Sequence, residues 1–165
     1  MAHPGRPRKS DPKVEDLRSN IREGDYTTAK ITLSEFGVDA EDGDGRTALI
    51  NAVIEGKVDF VDWLLQNGAN INHQDRIGYS ALHIIAQNKQ VALAEKFLNN
   101  GADPNVTDIH GNTPLWTAIF NSKNETGVVR LLLQHGANPE IVNKHGKSPK
   151  EMFETFYKMD IASFV

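Results

Sequence analysis

The sequence predicts an all-α solenoid of stacked helix-turn-helix units, and two periodic landmarks carry that prediction. Gly45-Arg46-Thr47-Ala48-Leu49 returns as Gly78-Tyr79-Ser80-Ala81-Leu82, as Gly111-Asn112-Thr113-Pro114-Leu115 and, degraded, as Gly146-Lys147-Ser148-Pro149. The steps are 33, 33 and 35 residues. A second landmark keeps pace with it: Gly68-Ala69-Asn70, Gly101-Ala102-Asp103 and Gly136-Ala137-Asn138, spaced by 33 and 35. A period of this length means stacked supersecondary units, none of which can bury its apolar face alone.

The elements follow in chain order. Residues 13–41 read as an N-terminal cap, with Leu17, Ile21, Gly24, Ala29 and Leu33 closed by Gly37 and polar residues (Arg18, Arg22, Lys30, Glu35) facing outward. Residues 42–74 are the first full repeat. Thr47 caps a helix whose inward residues are Leu49, Ala52 and Val53, and Gly56 separates it from a second helix carrying Phe60, Val61, Leu64 and Leu65. Trp63, on that second helix, belongs to the packing. In residues 75–107, Gly78 supplies a turn and Ser80 a cap. Leu82, Ile85 and Ala86 then fall at i, i+3 and i+4, and Leu93, Ala94, Phe97 and Leu98 line a second helix stopped by Gly101. Residues 108–142 repeat the pattern with Leu115, Ala118 and Ile119, then Val128, Val129, Leu132 and Leu133. Their two extra residues belong to the polar link Asn121–Gly127, where an insertion costs little. Residues 143–165 form a C-terminal cap in which Ser148-Pro149 starts a helix. Its apolar residues Met152, Phe153, Phe156, Phe164 and Val165 are expected to be covered by the last segment folding back from Asp160, with contact to a partner or a second copy as the alternative.

Thr113-Pro114-Leu115, Thr47-Ala48-Leu49 and Ser80-Ala81-Leu82-His83, with the Gly-Ala landmarks, resemble the ankyrin-repeat hallmark: Asp-x-x-Gly-x-Thr-Pro-Leu-His, then Leu-Leu-x-x-Gly-Ala. The proline of the triplet survives at Pro114 and is lost at Ala48 and Ala81. Of the histidines only His83 remains, with Ile50 and Trp116 at the equivalent positions. The resemblance covers roughly residues 13–159. It implies an all-α ankyrin-repeat solenoid with hairpin turns, three full repeats between two caps and about ten helices. It also implies that His83 bonds the backbone of a neighbouring turn. Families of this kind bind through the hairpin tips and the exposed face of the first helix of each pair. Carried over position by position, that implies partner-binding residues Asp44, Arg46, Ile54 and Glu55, then Arg76, Ile77, Tyr79, Gln87 and Asn88. The third repeat contributes Ile109, His110, Asn112, Trp116, Phe120 and Asn121, and the last Lys144, His145 and Lys147. Ile77, Tyr79, Ile109, Trp116 and Phe120 are the apolar ones among them, the type that anchors interfaces.

Composition narrows the function. The chain has 165 residues, 39% of them hydrophobic, and a net charge of −4. No cysteine is present, so disulfides and thiolate metal sites are excluded. No apolar run approaches a membrane span, and Met1 to Lys13 carry no signal-peptide core, which points to a cytoplasmic address. His110 and His145 share one turn position in successive repeats, and stacked units place such positions on the order of 10 Å apart. That separation is too long for two ligands of one zinc ion, so neither metal nor cofactor is expected. Asp42 and Asp44 resemble a fragment of a calcium loop without its closing glutamate. No nucleophile stands beside a base in a recognisable motif, so the chain does not read as an enzyme.

Charge is unevenly spread. Residues 1–12 read as a disordered basic arm whose Pro4-Gly5-Arg6-Pro7-Arg8-Lys9 resembles the core of an AT-hook. From Glu35 to Asp75 nine acids stand against Arg46 and Lys57, favouring a basic partner. The resulting reading is a non-enzymatic, monomeric protein-interaction module that grips one macromolecular partner on its concave face, as an inhibitor or an immunity-type neutraliser of a basic protein. The alternative is a DNA-associated regulator that uses the arm. Nucleic acid and membrane are not the expected partners of the repeats.

Overall fold

The structure, a computed structural model, describes residues 10–164. The basic arm up to Lys9, with its AT-hook-like segment, and the terminal Val165 lie outside the described residues. Among the described residues there are ten α-helices and one short 3-10 helix, and no strand. They divide into two compact units between Arg76 and Ile77.

The first unit holds α1 (Pro12–Glu15), α2 (Leu17–Glu23), α3 (Tyr26–Phe36), α4 (Ala48–Ile54) and α5 (Val58–Gln66). Asp11 caps α1 by accepting the Lys13 N–H at 3.0 Å, and Pro12 suits a first turn that has no use for its missing N–H. Helix therefore starts one residue inside the stretch assigned to the arm. α2 packs on α3 and α4, and α4 on α5. Their apolar faces meet in Leu17, Ile21, Ala29, Leu33, Leu49, Val53, Phe60 and Leu64, all buried. Tyr26 stacks on Phe60 at 4.6 Å and Phe60 on Trp63 at 5.5 Å, while the Lys30 ammonium lies 4.8 Å from the Trp63 ring. Trp63 is a packing residue, as its place on the second helix implied.

The second unit holds α6 (Ala81–Gln87), α7 (Val91–Asn99), α8 (Pro114–Asn121), α9 (Gly127–Gln134), α10 (Pro149–Tyr157) and a 3-10 helix at Ile161–Ser163. First helices pack on first helices, α6 on α8 and α8 on α10, and α7 packs on α9. Three residues link α6 to α7 and five link α8 to α9, so the two extra residues sit in the link where the sequence put them. Leu65 and Leu133 are half-buried rather than core. Each follows a buried leucine by one position, which turns it about 100° round the helix, away from the neighbour.

The C-terminal segment folds back. Phe153 and Ile161 are buried, and the Phe164 ring lies 5.0 Å from that of Phe153. Arg130 stands 4.4 Å over the Phe164 ring and donates from Nη1 to its carbonyl at 2.7 Å. Phe156 and Met159 are left exposed.

Candidate functional site

Three hairpin tips are each held by one carboxylate or amide. Asp42 accepts the N–H groups of Asp44 and Arg46, both at 2.9 Å, and the side-chain amide of Asn51 at 3.0 Å. Asp108 accepts from the backbones of His110 and Asn112 at 2.8 Å each, and Asn143 from His145 at 2.9 Å and Lys147 at 3.0 Å. A short polar side chain that bonds the backbone two and four residues on closes the turn locally. Asp42 is buried in this work. The calcium-loop resemblance is explained by that turn, and among the described residues no three His, Cys, Asp or Glu side chains gather to hold a metal ion.

Tips then join their neighbours within each unit. In the first, Arg76 donates its N–H to the Asp44 carbonyl at 3.0 Å. In the second, Ile109 donates to Ile77 at 3.0 Å and Lys144 to His110 at 2.8 Å. Gly78 lies in the left-handed region (φ 77), where a Cβ would come within 2.8 Å of the Asp108 Cα. Only glycine allows the tips so close.

The candidate residues of the first unit are partly committed inside the chain. Arg46 pairs with Asp44 at 3.1 Å and reaches Asp75 at 3.5 Å, and Glu55 takes Arg18 at 2.8 Å. Ile54 is half-buried, whereas the Asp44 carboxylate is 69% exposed. The acid-rich stretch is therefore less available than its composition implied: Glu35 also pairs with Lys13, and Asp39 accepts the Asn70 N–H.

The second unit presents more. Ile77 and Ile109 are each 47% exposed and Phe120 58%, while Gln87, Asn88, His110, Lys144, His145 and Lys147 lie open to solvent. Tyr79 stacks on His83 at 5.1 Å, and Trp116 on Phe120 at 5.1 Å. The Trp116 indole nitrogen is buried with no acceptor among the described residues. Asn112 serves the fold: its amide nitrogen donates to Asp108 at 3.2 Å and its oxygen accepts from Asn143 at 2.7 Å. Asn121 donates back to the Thr117 carbonyl at 2.8 Å. The His110 and His145 rings stack with centroids 6.2 Å apart, closer than the layer spacing of about 10 Å assigned from sequence. Side chains lean together where their turns are only one backbone hydrogen bond apart.

Sequence reasoning placed the helix that starts at Ser148-Pro149 but did not put its outward face among the candidate residues. On α10, Met152, Thr155 and Phe156 stand at i, i+3 and i+4, a second stripe beside the one that buries Phe153. That stripe, with Trp116, Phe120 and Lys147 of the candidate set, lines a depression of about 290 Å³. The spacing was readable, but Met152 and Phe156 were assigned first to the fold-back, with contact to a partner or a second copy as the alternative. Among the described residues no helix is long and apolar enough to cross a membrane.

Comparisons with known proteins agree with the geometry. A family model described as ankyrin repeats (3 copies) matches residues 19–108 and 82–151. The chain is 37% identical over 93 residues to the B-cell lymphoma 3 protein homolog of Mus musculus, covering 54% of this chain and 21% of that protein. It is 37% identical over 93 residues to the ankyrin repeat and SOCS box protein 6 of Homo sapiens, covering 53% and 22%. It is 38% identical over 69 residues to the Notch-regulated ankyrin repeat-containing protein of Xenopus tropicalis, covering 42% and 60%. The chain thus spans about a fifth of the first two relatives. Repeats of this kind generally mediate protein–protein interaction and are typically non-enzymatic. With the period, the stapled tips, the paired helices and a match over most of its length, the chain belongs to the ankyrin-repeat family.

Proposed function

We propose that the chain binds one protein partner on the surface formed by its hairpin tips and first helices, without catalysing a reaction. The observation that carries this reading is the exposure of Ile77, Ile109 and Phe120, at 47%, 47% and 58%, at positions the family uses for contact. Large apolar side chains held in water at such positions are a standing gain for a partner that covers them. The tips are pinned by hydrogen bonds before any partner arrives, so little ordering entropy opposes association.

The finer form of the proposal is a blocking role, an inhibitor or immunity-type neutraliser that occupies its partner's working surface. The exposed Asp44 carboxylate supports a basic contact at the first unit. Co-purification tests the reading: the wild-type chain and an Ile109→Ala, Phe120→Ala variant are each used to recover partners from the source cell. A partner held by the first and lost by the second, at unchanged melting temperature, supports it. Equal recovery by both overturns it.

A further inference from the structure

We infer that α8 and α10 of the second unit form a groove for an acidic protein segment with a bulky apolar anchor; the inference rests on the protein-binding reading above and names the partner's chemistry. The depression of about 290 Å³ has Trp116, Phe120, Met152 and Phe156 as its apolar walls and Lys147 and Glu151 as its charged ones. A second depression, of about 220 Å³, shares Phe120 and Phe156 with the first and adds Lys123. The two adjoin at that aromatic pair, so an apolar middle lies between a part bearing Lys147 and a part bearing Lys123.

Exposure gives the middle its meaning. Phe120 is 58% and Phe156 54% exposed, although Phe153 of the same helix is fully buried. An apolar side chain laid between the two rings removes both from water. The buried indole N–H of Trp116 lacks an acceptor among the described residues, and an occupant's carbonyl that reaches it supplies one.

Charge then selects the occupant. Glu151 is the one carboxylate among the lining residues, and it is engaged at home, accepting the Ser148 N–H at 3.4 Å in the capping box of α10. Neither Lys147 nor Lys123 forms an ion pair among the described residues. A segment with carboxylates on both sides of its anchor meets two unneutralised ammonium groups, whereas a basic segment meets repulsion at both.

Selection of a random peptide library displayed on phage, against the full chain, tests the inference. The expected winners carry Phe, Leu or Trp flanked by Asp or Glu. Lys123→Glu with Lys147→Glu should weaken their binding about tenfold or more in low salt, with the gap closing as salt rises. Lys123→Arg with Lys147→Arg should retain it. Basic or uncharged winners, or winners indifferent to the charge reversal, overturn the inference; if those winners still need Ile109 and Phe120, the broader binding reading stands. Failure to enrich any peptide overturns it too. So does a chain that light scattering shows to be a dimer dissociated by Phe120→Asp, since the occupant is then a second copy.

Discussion

His83 donates from Nε2 to the backbone carbonyl of Asn112 at 3.1 Å, tying the second repeat to the third. Its Nδ1 accepts the Ser80 N–H at 3.2 Å and lies 3.0 Å from the Ser80 hydroxyl, which fixes the tautomer that makes the long-range bond. The ring is fully buried. His83→Ala leaves buried backbone groups short of partners, at about 1–3 kcal/mol each, and opens a cavity besides. Urea denaturation should show a loss of that size, against almost none for the exposed His145→Ala. Equal losses would contradict the bridging role.

The core prediction compares buried leucines with the insertion. Leu82→Ala and Leu115→Ala, at fully buried positions, should each cost roughly 2–5 kcal/mol. Asn124 has φ 75, so Asn124→Ala carries a backbone cost of about 1 kcal/mol and Asn124→Gly relieves it. The order Leu far above Asn, with glycine at 124 no worse than asparagine, is the outcome that chemical denaturation should return.

Glycines sharing one backbone conformation should differ in consequence. Gly136 (φ 84) has nothing within 4 Å of where a Cβ would stand, so Gly136→Ala costs the left-handed conformation alone, about 1 kcal/mol. Gly78→Ala pays the same and also pushes a methyl group into the backbone of Asp108 and Ile109, at 2.8 and 2.9 Å. Thermal melts should rank Gly78→Ala clearly below Gly136→Ala. Equal melting temperatures would mean that the tips are not packed as described.

Asp25 gives a pH prediction. It caps α3, and hydrogen bonds from the Thr28 side chain and then the Thr28 backbone N–H hold its carboxyl below the ordinary carboxylate value. A depressed folded-state value means that the stabilisation is present above the unfolded-state value of about 3.9 and is lost as pH falls through the folded one. Asp25→Ala should therefore melt earlier than wild type near neutrality, and the two should converge in strong acid. A gap that persists there would remove the carboxylate from the explanation.

Much of this architecture was legible because repetition multiplies weak signals. One Gly-x-Thr-x-Leu is an ordinary turn and cap; several at one period leave a single way to bury Leu49, Leu82 and Leu115. The same register placed the insertion between α8 and α9, and the family resemblance implied that His83 bonds the backbone of a neighbouring turn. What stayed hidden depends on side chains meeting across space. The pairing of Arg46 with Asp75 and of Glu55 with Arg18 removes charges that composition counts as surface. The left-handed Lys89 (φ 57) stands where the preceding repeat has Gly56 (φ 66), a substitution no residue preference suggests. The outward face of α10 stayed outside the candidate set because Phe153 and Phe156 look alike in sequence and differ only in which neighbour each one meets.

Calorimetric titration of the recovered partner into the wild-type chain and into Ile109→Ala, Phe120→Ala tests the central claim, that exposed apolar residues on tips and first helices are the binding surface. Each substitution should cost about 2 kcal/mol or more of affinity, as the loss of an interface anchor does, while the melting temperature stays at the wild-type value. Unchanged affinity, with or without a lowered melting temperature, would contradict the claim.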